Sequence, residues 1–211
     1  QGEGPYTGIE QLFIRFYGCN INCSFCDTKQ DIFKEYSIDA LKAVVSAYKG
    51  IHSISLTGGE PLCQADFIKD FLDSIAVLGN KIYLETNGTL PSELFKVVKL
   101  VDIIAMDFKL PSSTERVGFW QEHEEFLSIA KQREVFIKIV ITKSTIEGDI
   151  FKARDIISRI NPGLTVVLQP NWFDMSQELL NRITSFKKYF LEAGIHNLKI
   201  LPQAHKYAGV K

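Results

Sequence analysis

The chain has 211 residues, 45% hydrophobic and 23% charged, with a formal net charge of −1 at pH 7. That length supports a single globular domain over residues 1–211, burying roughly 70% of the surface its unfolded chain exposes. The balanced charge carries no electrostatic footprint for nucleic acid or an anionic membrane. No apolar run approaches the roughly 20 residues of a spanning helix, and no signal-peptide pattern opens the sequence. Three of the four cysteines crowd into residues 19–26, which argues against a disulfide framework and for a reducing, cytoplasmic setting.

Strand and helix patterns alternate from end to end. A strand over 11–16 leads into the cysteine loop. A helix over 37–48 follows, with Ser37 as N-cap and Ile38, Leu41, Val44, Val45 and Tyr48 on one stripe. Then come strand 53–57, helix 65–78, strand 81–86, helix 92–99, strand 102–107 and helix 115–132. Strand 135–141, helix 149–160, strand 165–169, helix 177–193 with Gly194 placed to end it, and strand 197–201 complete the series. Such alternation implies right-handed βαβ units and an α/β fold with a parallel sheet.

Parallel strands covered on both faces usually read as continuous apolar runs. Here one face of each strand is polar: Arg15, then Ser53, Ser55 and Thr57, then Glu85, Asp107, Lys109, Lys138 and Gln169. Unpaired burial of so many charges would cost several kcal/mol per ion. An open or partial barrel whose concave face holds a polar ligand avoids that cost; an edge-exposed sheet with solvated charges is the alternative. Polar signals also collect at the C-terminal ends of the strands, where α/β sheets build their sites. They include the cysteine loop, Thr57-Gly58-Gly59-Glu60-Pro61, Glu85-Thr86-Asn87-Gly88 and Gln169-Pro170. Cys19, Cys23 and Cys26 are soft ligands suited to an iron–sulfur cluster or to zinc. A structural zinc would want a fourth ligand that no nearby His or Cys supplies, which favours the cluster. Cys63 reads as a buried small hydrophobe, and the four histidines show no metal spacing.

The Cys-x3-Cys-x2-Cys loop with Phe25 before its third cysteine, followed by Gly58-Gly59-Glu60-Pro61, resembles the radical S-adenosylmethionine (SAM) superfamily. The resemblance implies an incomplete βα barrel of parallel strands and a 4Fe–4S cluster whose open iron is chelated by SAM. One electron then releases methionine and a 5′-deoxyadenosyl radical, while the protein positions groups and excludes water. Further stretches resemble the 7-carboxy-7-deazaguanine synthase family: Gln1-Gly2-Glu3-Gly4, Cys26-Asp27-Thr28, Leu84-Glu85-Thr86-Asn87-Gly88-Thr89, Lys109-Leu110-Pro111, Leu168-Gln169-Pro170 and Leu201-Pro202-Gln203-Ala204-His205-Lys206. This implies ring contraction of 6-carboxy-tetrahydropterin to 7-carboxy-7-deazaguanine with loss of ammonia. It also implies a homodimer and an electron donor such as flavodoxin or ferredoxin.

Carried over position by position, the resemblance gives SAM to Phe25, Asp27, Gly59, Asp107, Phe108, Lys109 and Gln169. It gives the substrate to Gln1, Gly2, Arg15 and Thr57, and Mg²⁺ to the Thr28 hydroxyl. Arg15 carries the planar fork that suits a carboxylate, although a strand arginine could instead pair with Glu85 or Asp107. Thr57 could be a simple strand-end hydroxyl, and Thr28 a loop cap. Two rivals share part of this pattern: an activase of glycyl-radical enzymes, and a non-catalytic zinc or cluster module. Gln-Gly-Glu-Gly with Cys-Asp-Thr argues against the first, and Gly-Gly-Glu-Pro with the polar inner faces against the second.

Overall fold

The computed structural model describes residues 1–26, 32–207 and 209, with the side chain of His205 outside that set. Seven strands form one sheet: β1 (Gln11–Phe16), β2 (Ser53–Gly58), β3 (Lys81–Thr86), β4 (Ile103–Asp107), β5 (Glu134–Ile141), β6 (Thr165–Pro170) and β7 (Leu198–Ile200). They lie in chain order, each parallel to the next, and β1 and β7 do not pair. The sheet is therefore an open βα barrel, as the polar inner faces require. Connecting helices are α1 (Ile38–Ser46), α2 (Ala65–Ile75), α3 (Pro91–Val97), α4 (Pro111–Thr114), α5 (Trp120–Ala130), α6 (Glu147–Ile160) and α7 (Gln177–Glu192); α8 (Ala204–Tyr207) follows β7. Among the described residues no helix is long and apolar enough to cross a membrane.

Strand periodicity divides the side chains between two cores. Ile54, Leu56, Leu84, Ile104, Met106, Ile137, Ile139 and Leu168 turn outward and pack against Leu41, Val45, Ile68, Phe71, Phe126 and Ile157 of the helices. A smaller cluster of Tyr83, Ile103, Ala105, Phe136 and Val167 lies on the other side of the sheet, with Tyr6 and Leu201 against it. The inner face is thus polar near the C-terminal strand ends and apolar deeper down. The segment before β1 supplies the plug: Tyr6 meets Tyr83 and Phe136 with ring centroids 5.5 and 6.4 Å apart.

Ser37 caps α1, its hydroxyl accepting from Ala40 N at 3.2 Å. That helix ends at Ser46, leaving Val44 and Tyr48 exposed, so Leu41 and Val45 carry its buried stripe. The larger departure concerns the helix expected over 115–132: the structure places a short unexpected helix, α4, before it, a break over 115–119, and α5 only from Trp120. Glu115 takes a left-handed φ of 56° that ends α4, and Arg116, Val117 and Gly118 fill the gap. The break leaves the last carbonyls of α4 without helical donors. Those of Ser113 and Thr114 are used elsewhere in the molecule, as shown below.

Gly4 explains the fourth position of the opening motif. Its φ is +66°, and a Cβ there would sit 2.9 Å from Phe136 Cε2. We expect Gly4→Ala to lower folding stability by about 1–2 kcal/mol, through backbone strain and loss of the plug's fit. Gly148→Ala, in open space on α6, should be neutral or stabilising. Urea titrations of the two variants check this; equal effects would show that the Gly4 fit is not under strain.

Candidate active site

The second loop meets the first closely through its backbone, and the Gln64 amide adds a bond to Tyr17 O at 3.1 Å. Gly59 N donates to Phe16 O at 2.9 Å and Glu60 N to Gly18 O at 2.8 Å, extending the β1–β2 pairing past the strand ends. Only glycine permits this approach. A Cβ on Gly58, whose φ is +121°, would lie 2.3 Å from Phe16 O, and one on Gly59 1.9 Å from Gly18 O. Glu60 then turns inward and is fully buried. Its carboxylate accepts from Leu62 N (3.0 Å), Thr86 Oγ1 (2.8 Å) and Asn87 N (2.7 Å), yet burial outweighs these donors and pushes its pKa up to about 7.

Two further loops hold the cysteine segment. Asn87 donates its amide to Asn20 Oδ1 at 2.8 Å and stands 3.9 Å from Cys19 Sγ. Asn20 returns a bond to Thr89 Oγ1 at 2.9 Å. On the other side Ser24 N and Oγ donate to the carbonyls of Thr114 (3.0 Å) and Ser113 (3.1 Å), and Arg116 Nε to that of Asn22. Those are the carbonyls that the helix break released. Burial raises the Cys19 and Cys23 thiols; the Ile21 N–H opposes it at Cys19 and the Lys109 ammonium at Cys23. Among the described residues none of the three loop cysteines forms a disulfide, and together they make a soft donor set that fits an iron–sulfur cluster. Among the described residues no three His, Cys, Asp or Glu side chains form a group able to hold a single metal ion. Cys63 is exposed, contrary to the buried role expected for it. It follows Pro61 in a short 3-10 turn whose apolar side is already taken by Leu62.

Below the cysteine loop lies a string of alternating charge. Lys109 Nζ is 2.8 Å from Asp107 Oδ2, Lys138 Nζ is 3.4 Å from the same oxygen and 2.6 Å from Glu3 Oε2, and Gln203 Nε2 donates to Glu3 Oε1 at 2.9 Å. Burial works against ionisation of Asp107, but the two lysines overcome it and hold its carboxyl below the ordinary range. Asp107, Lys109 and Lys138 are thus paired and sheltered, which speaks against a solvated sheet at these strands. Asp107 Oδ1 and Gln169 Oε1 are nevertheless buried with no hydrogen-bond partner among the described residues. Two orphaned acceptors near the C-terminal ends of β4 and β6, with β5 between them, fit a ligand rich in N–H and O–H donors. Lys109 also lies 5.3 Å from the Phe25 ring centroid. Phe108 turns its ring into the outer core, 4.2 Å from the His123 ring, and its N–H donates to Lys138 O at 2.7 Å.

The remaining expected residues gather at β1–β3. Thr57 Oγ1 donates to Glu85 Oε2 at 2.8 Å, and Gln1 Nε2 to Glu85 Oε1, so one carboxylate ties the opening motif to β2. Gly2 O accepts from Ala204 N at 2.9 Å, joining the two ends of the described chain. Arg15 is the register neighbour of Thr57, is exposed, and has no ion pair among the described residues; its guanidinium rests 5.5 Å from the Phe13 ring centroid. It pairs with neither Glu85 nor Asp107. Asp27 and Thr28 lie outside the described residues. Sequence reasoning missed Asn20, Asn87, His123 and the linking role of Glu3. Only Glu3, Asn20 and Asn87 stand in motifs that could have flagged them.

A model of the radical SAM superfamily matches residues 13–149, and the chain belongs to that superfamily, which implies a 4Fe–4S cluster and SAM as cofactors. It is 34% identical to the 7-carboxy-7-deazaguanine synthase of Geobacter sulfurreducens, over 99% of this chain and 93% of that protein. With the enzyme of that name from Thermoplasma acidophilum it shares 35% identity over 98% and 91%. It is a member of the 7-carboxy-7-deazaguanine synthase family. Streptococcus suis SuiB bound to S-adenosylmethionine shares the fold, with a TM-score of 0.66 at 16% identity over 92% of this chain; this chain spans 50% of that one.

His123 is fully buried on α5, its Nε2 3.1 Å from Asn87 O and 3.3 Å from Lys109 N, and burial pushes its pKa down to about 4. The unfolded chain therefore takes up this proton first, and stability is lost as pH falls from about 6.5 to about 4, by about 3 kcal/mol in the limit. Glu60 acts with the opposite sign: the unfolded chain ionises first, and stability is lost as pH rises from about 4.5 to about 7. The two trends offset each other in the wild type. His123→Gln should expose the Glu60 trend, making the variant more stable at pH 5 than at pH 7 relative to wild type. Parallel urea-midpoint profiles for the two proteins would contradict it.

Proposed function

We propose that this chain contracts the ring of 6-carboxy-tetrahydropterin to give 7-carboxy-7-deazaguanine and ammonia, within a 7-deazapurine pathway such as that of queuosine. The observation that carries the reading is a set of groups gathered around one mouth. They are an unpaired arginine beside Thr57, a cysteine loop braced from two sides, and two orphaned buried acceptors on β4 and β6. Cys19, Cys23 and Cys26 would hold the cluster. When bound, cluster and SAM supply the radical that removes a hydrogen from the ring carbon bearing the carboxylate.

The chain's own residues bind and orient. The Gly59 backbone, Asp107 Oδ1, Gln169 Oε1, Lys109, Phe25 and the Phe108 backbone would face SAM, with Asp27 beside them. Arg15 would take the substrate carboxylate through two parallel hydrogen bonds. The Gln1–Gly2 segment and Thr57 would read the pterin edge, both steadied by Glu85. Thr28 would give its hydroxyl to Mg²⁺, a hard ion commonly held by few protein groups plus substrate oxygens. No side chain need act as a nucleophile. Flavodoxin or ferredoxin would deliver the electron, and the enzyme would work as a homodimer in the cytoplasm.

Reconstituted under anaerobic conditions, the wild type and Cys63→Ala should carry a full cluster, and Cys26→Ala should lose it. A full cluster in Cys26→Ala, or its loss in Cys63→Ala, would overturn the ligand assignment. In the same preparation Arg15→Lys should raise KM for the pterin at least about tenfold, because an ammonium cannot reproduce the planar pair. SAM affinity should stay within about threefold; an equal loss for both ligands would make Arg15 a general structural residue.

A further inference from the structure

The charge string joins two regions that the proposed function gives to different ligands. At one end Glu3 follows directly on Gln1 and Gly2, and it is held by Gln203 from the segment after β7. At the other end Asp107 and Lys109 stand beneath the cysteine loop, with Asp107 Oδ1 unpartnered and Lys109 against Phe25. Lys138, projecting from the middle of β5, contacts both ends: Nζ is 2.6 Å from Glu3 and 3.4 Å from Asp107. The three side chains retain only 12–18% of their accessible surface.

The physics of such a string is cooperative. A sheltered ammonium between two carboxylates holds each in a fixed place, and moving either one leaves charge without a counter-charge in a poorly screened interior. The opening segment is also tied to the Glu85 carboxylate through Gln1 and to the Glu134 carboxylate through the Tyr6 hydroxyl. Lys138 is a charged link from that segment to Asp107 at the end of β4. A ligand that orders the opening segment fixes Glu3, which fixes Lys138, which fixes Asp107 Oδ2 and the direction in which Oδ1 is offered.

We propose that Lys138 is a positioning residue that couples the two binding regions, so that pterin bound at the opening segment tightens SAM at the β4–β6 edge, and SAM tightens the pterin. This rests on the substrate reading above. Coupling between sites is reciprocal, so the same factor must be found from either side.

The test is equilibrium dialysis of anaerobically reconstituted enzyme, with no electron donor and hence no turnover. SAM affinity is measured with and without saturating 6-carboxy-tetrahydropterin, and pterin affinity with and without SAM. In the wild type each ligand should tighten the other at least fivefold, about 1 kcal/mol. Lys138→Met keeps the apolar stem and removes the bridge; its coupling factor should fall below twofold. Lys138→Arg, which can still reach both carboxylates, should retain at least threefold. Glu3→Gln cuts the loop-side charge alone and provides a second route: SAM affinity by itself should change less than twofold while coupling falls. A wild-type factor of one would overturn the inference. So would Lys138→Met and Glu3→Gln variants that weaken each ligand alone yet keep the wild-type ratio, as a merely structural role would. Failure of the wild type to bind the pterin at all would instead overturn the substrate reading, and this inference with it.

Discussion

Charge placed inside a sheet must find opposite charge, and in this barrel the pairing of Glu3, Lys138, Asp107 and Lys109 governs what surrounds it. A closed barrel would fill that space with branched apolar side chains. Here the filling is divided. Tyr6, Tyr83 and Phe136 close the deeper part, and the ion pairs occupy the level above. The opening segment is essential to both, since it supplies Tyr6 to the plug and Glu3 to the string. Its motif is therefore at once a packing element and a binding element. Gly4 shows the two demands meeting at one residue, which must leave room for Phe136 while the chain turns.

Above the charges, the cysteine loop is shaped by neighbours rather than by itself. Backbone contact with Gly58 and Gly59 sets its start, Asn87 and Asn20 lock one flank, and the carbonyls at the broken end of α4 hold the other. Each brace comes from a different βα connection. A loop carrying three thiols needs such bracing, because metal affinity depends on ligands held ready rather than gathered from a disordered chain. The fully buried Glu60 ties the second and third connections together, accepting from Thr86 and Asn87 as well as from Leu62 of its own turn.

Much of this could be read from the residues. Strand positions followed from apolar alternation, and β1 and β3 fall on the spans that alternation marks, because short β-branched and aromatic runs bounded by polar turns admit little else. The open barrel followed from charge on the inner faces. What escaped depended on tertiary partners. The helix expected from 115 begins only at Trp120, and nothing local reports that a short α4 ends just before it with carbonyls that reach Ser24. Cys63 looked buried by residue type, but Leu62 takes the core position. His123 stands in an ordinary amphipathic helix, and its place between Asn87 and Lys109 exists only after folding. Lys138 and Asp107 were visible as inward charges, whereas their contact, and Glu3 as the second partner 135 positions upstream, were not.

The central claim is that this site contracts a pterin ring, with the protein orienting the substrate and SAM acting as a reusable hydrogen carrier. The most direct measurement is turnover of 6-carboxy-tetrahydropterin, with deuterium on the ring carbon bearing the carboxylate, by the anaerobically reconstituted enzyme with SAM and a chemical reductant. Mass spectrometry should find 7-carboxy-7-deazaguanine accumulating in many-fold excess over 5′-deoxyadenosine, with deuterium passing into the recovered SAM. Cleavage of SAM to 5′-deoxyadenosine with the pterin unchanged would contradict the claim.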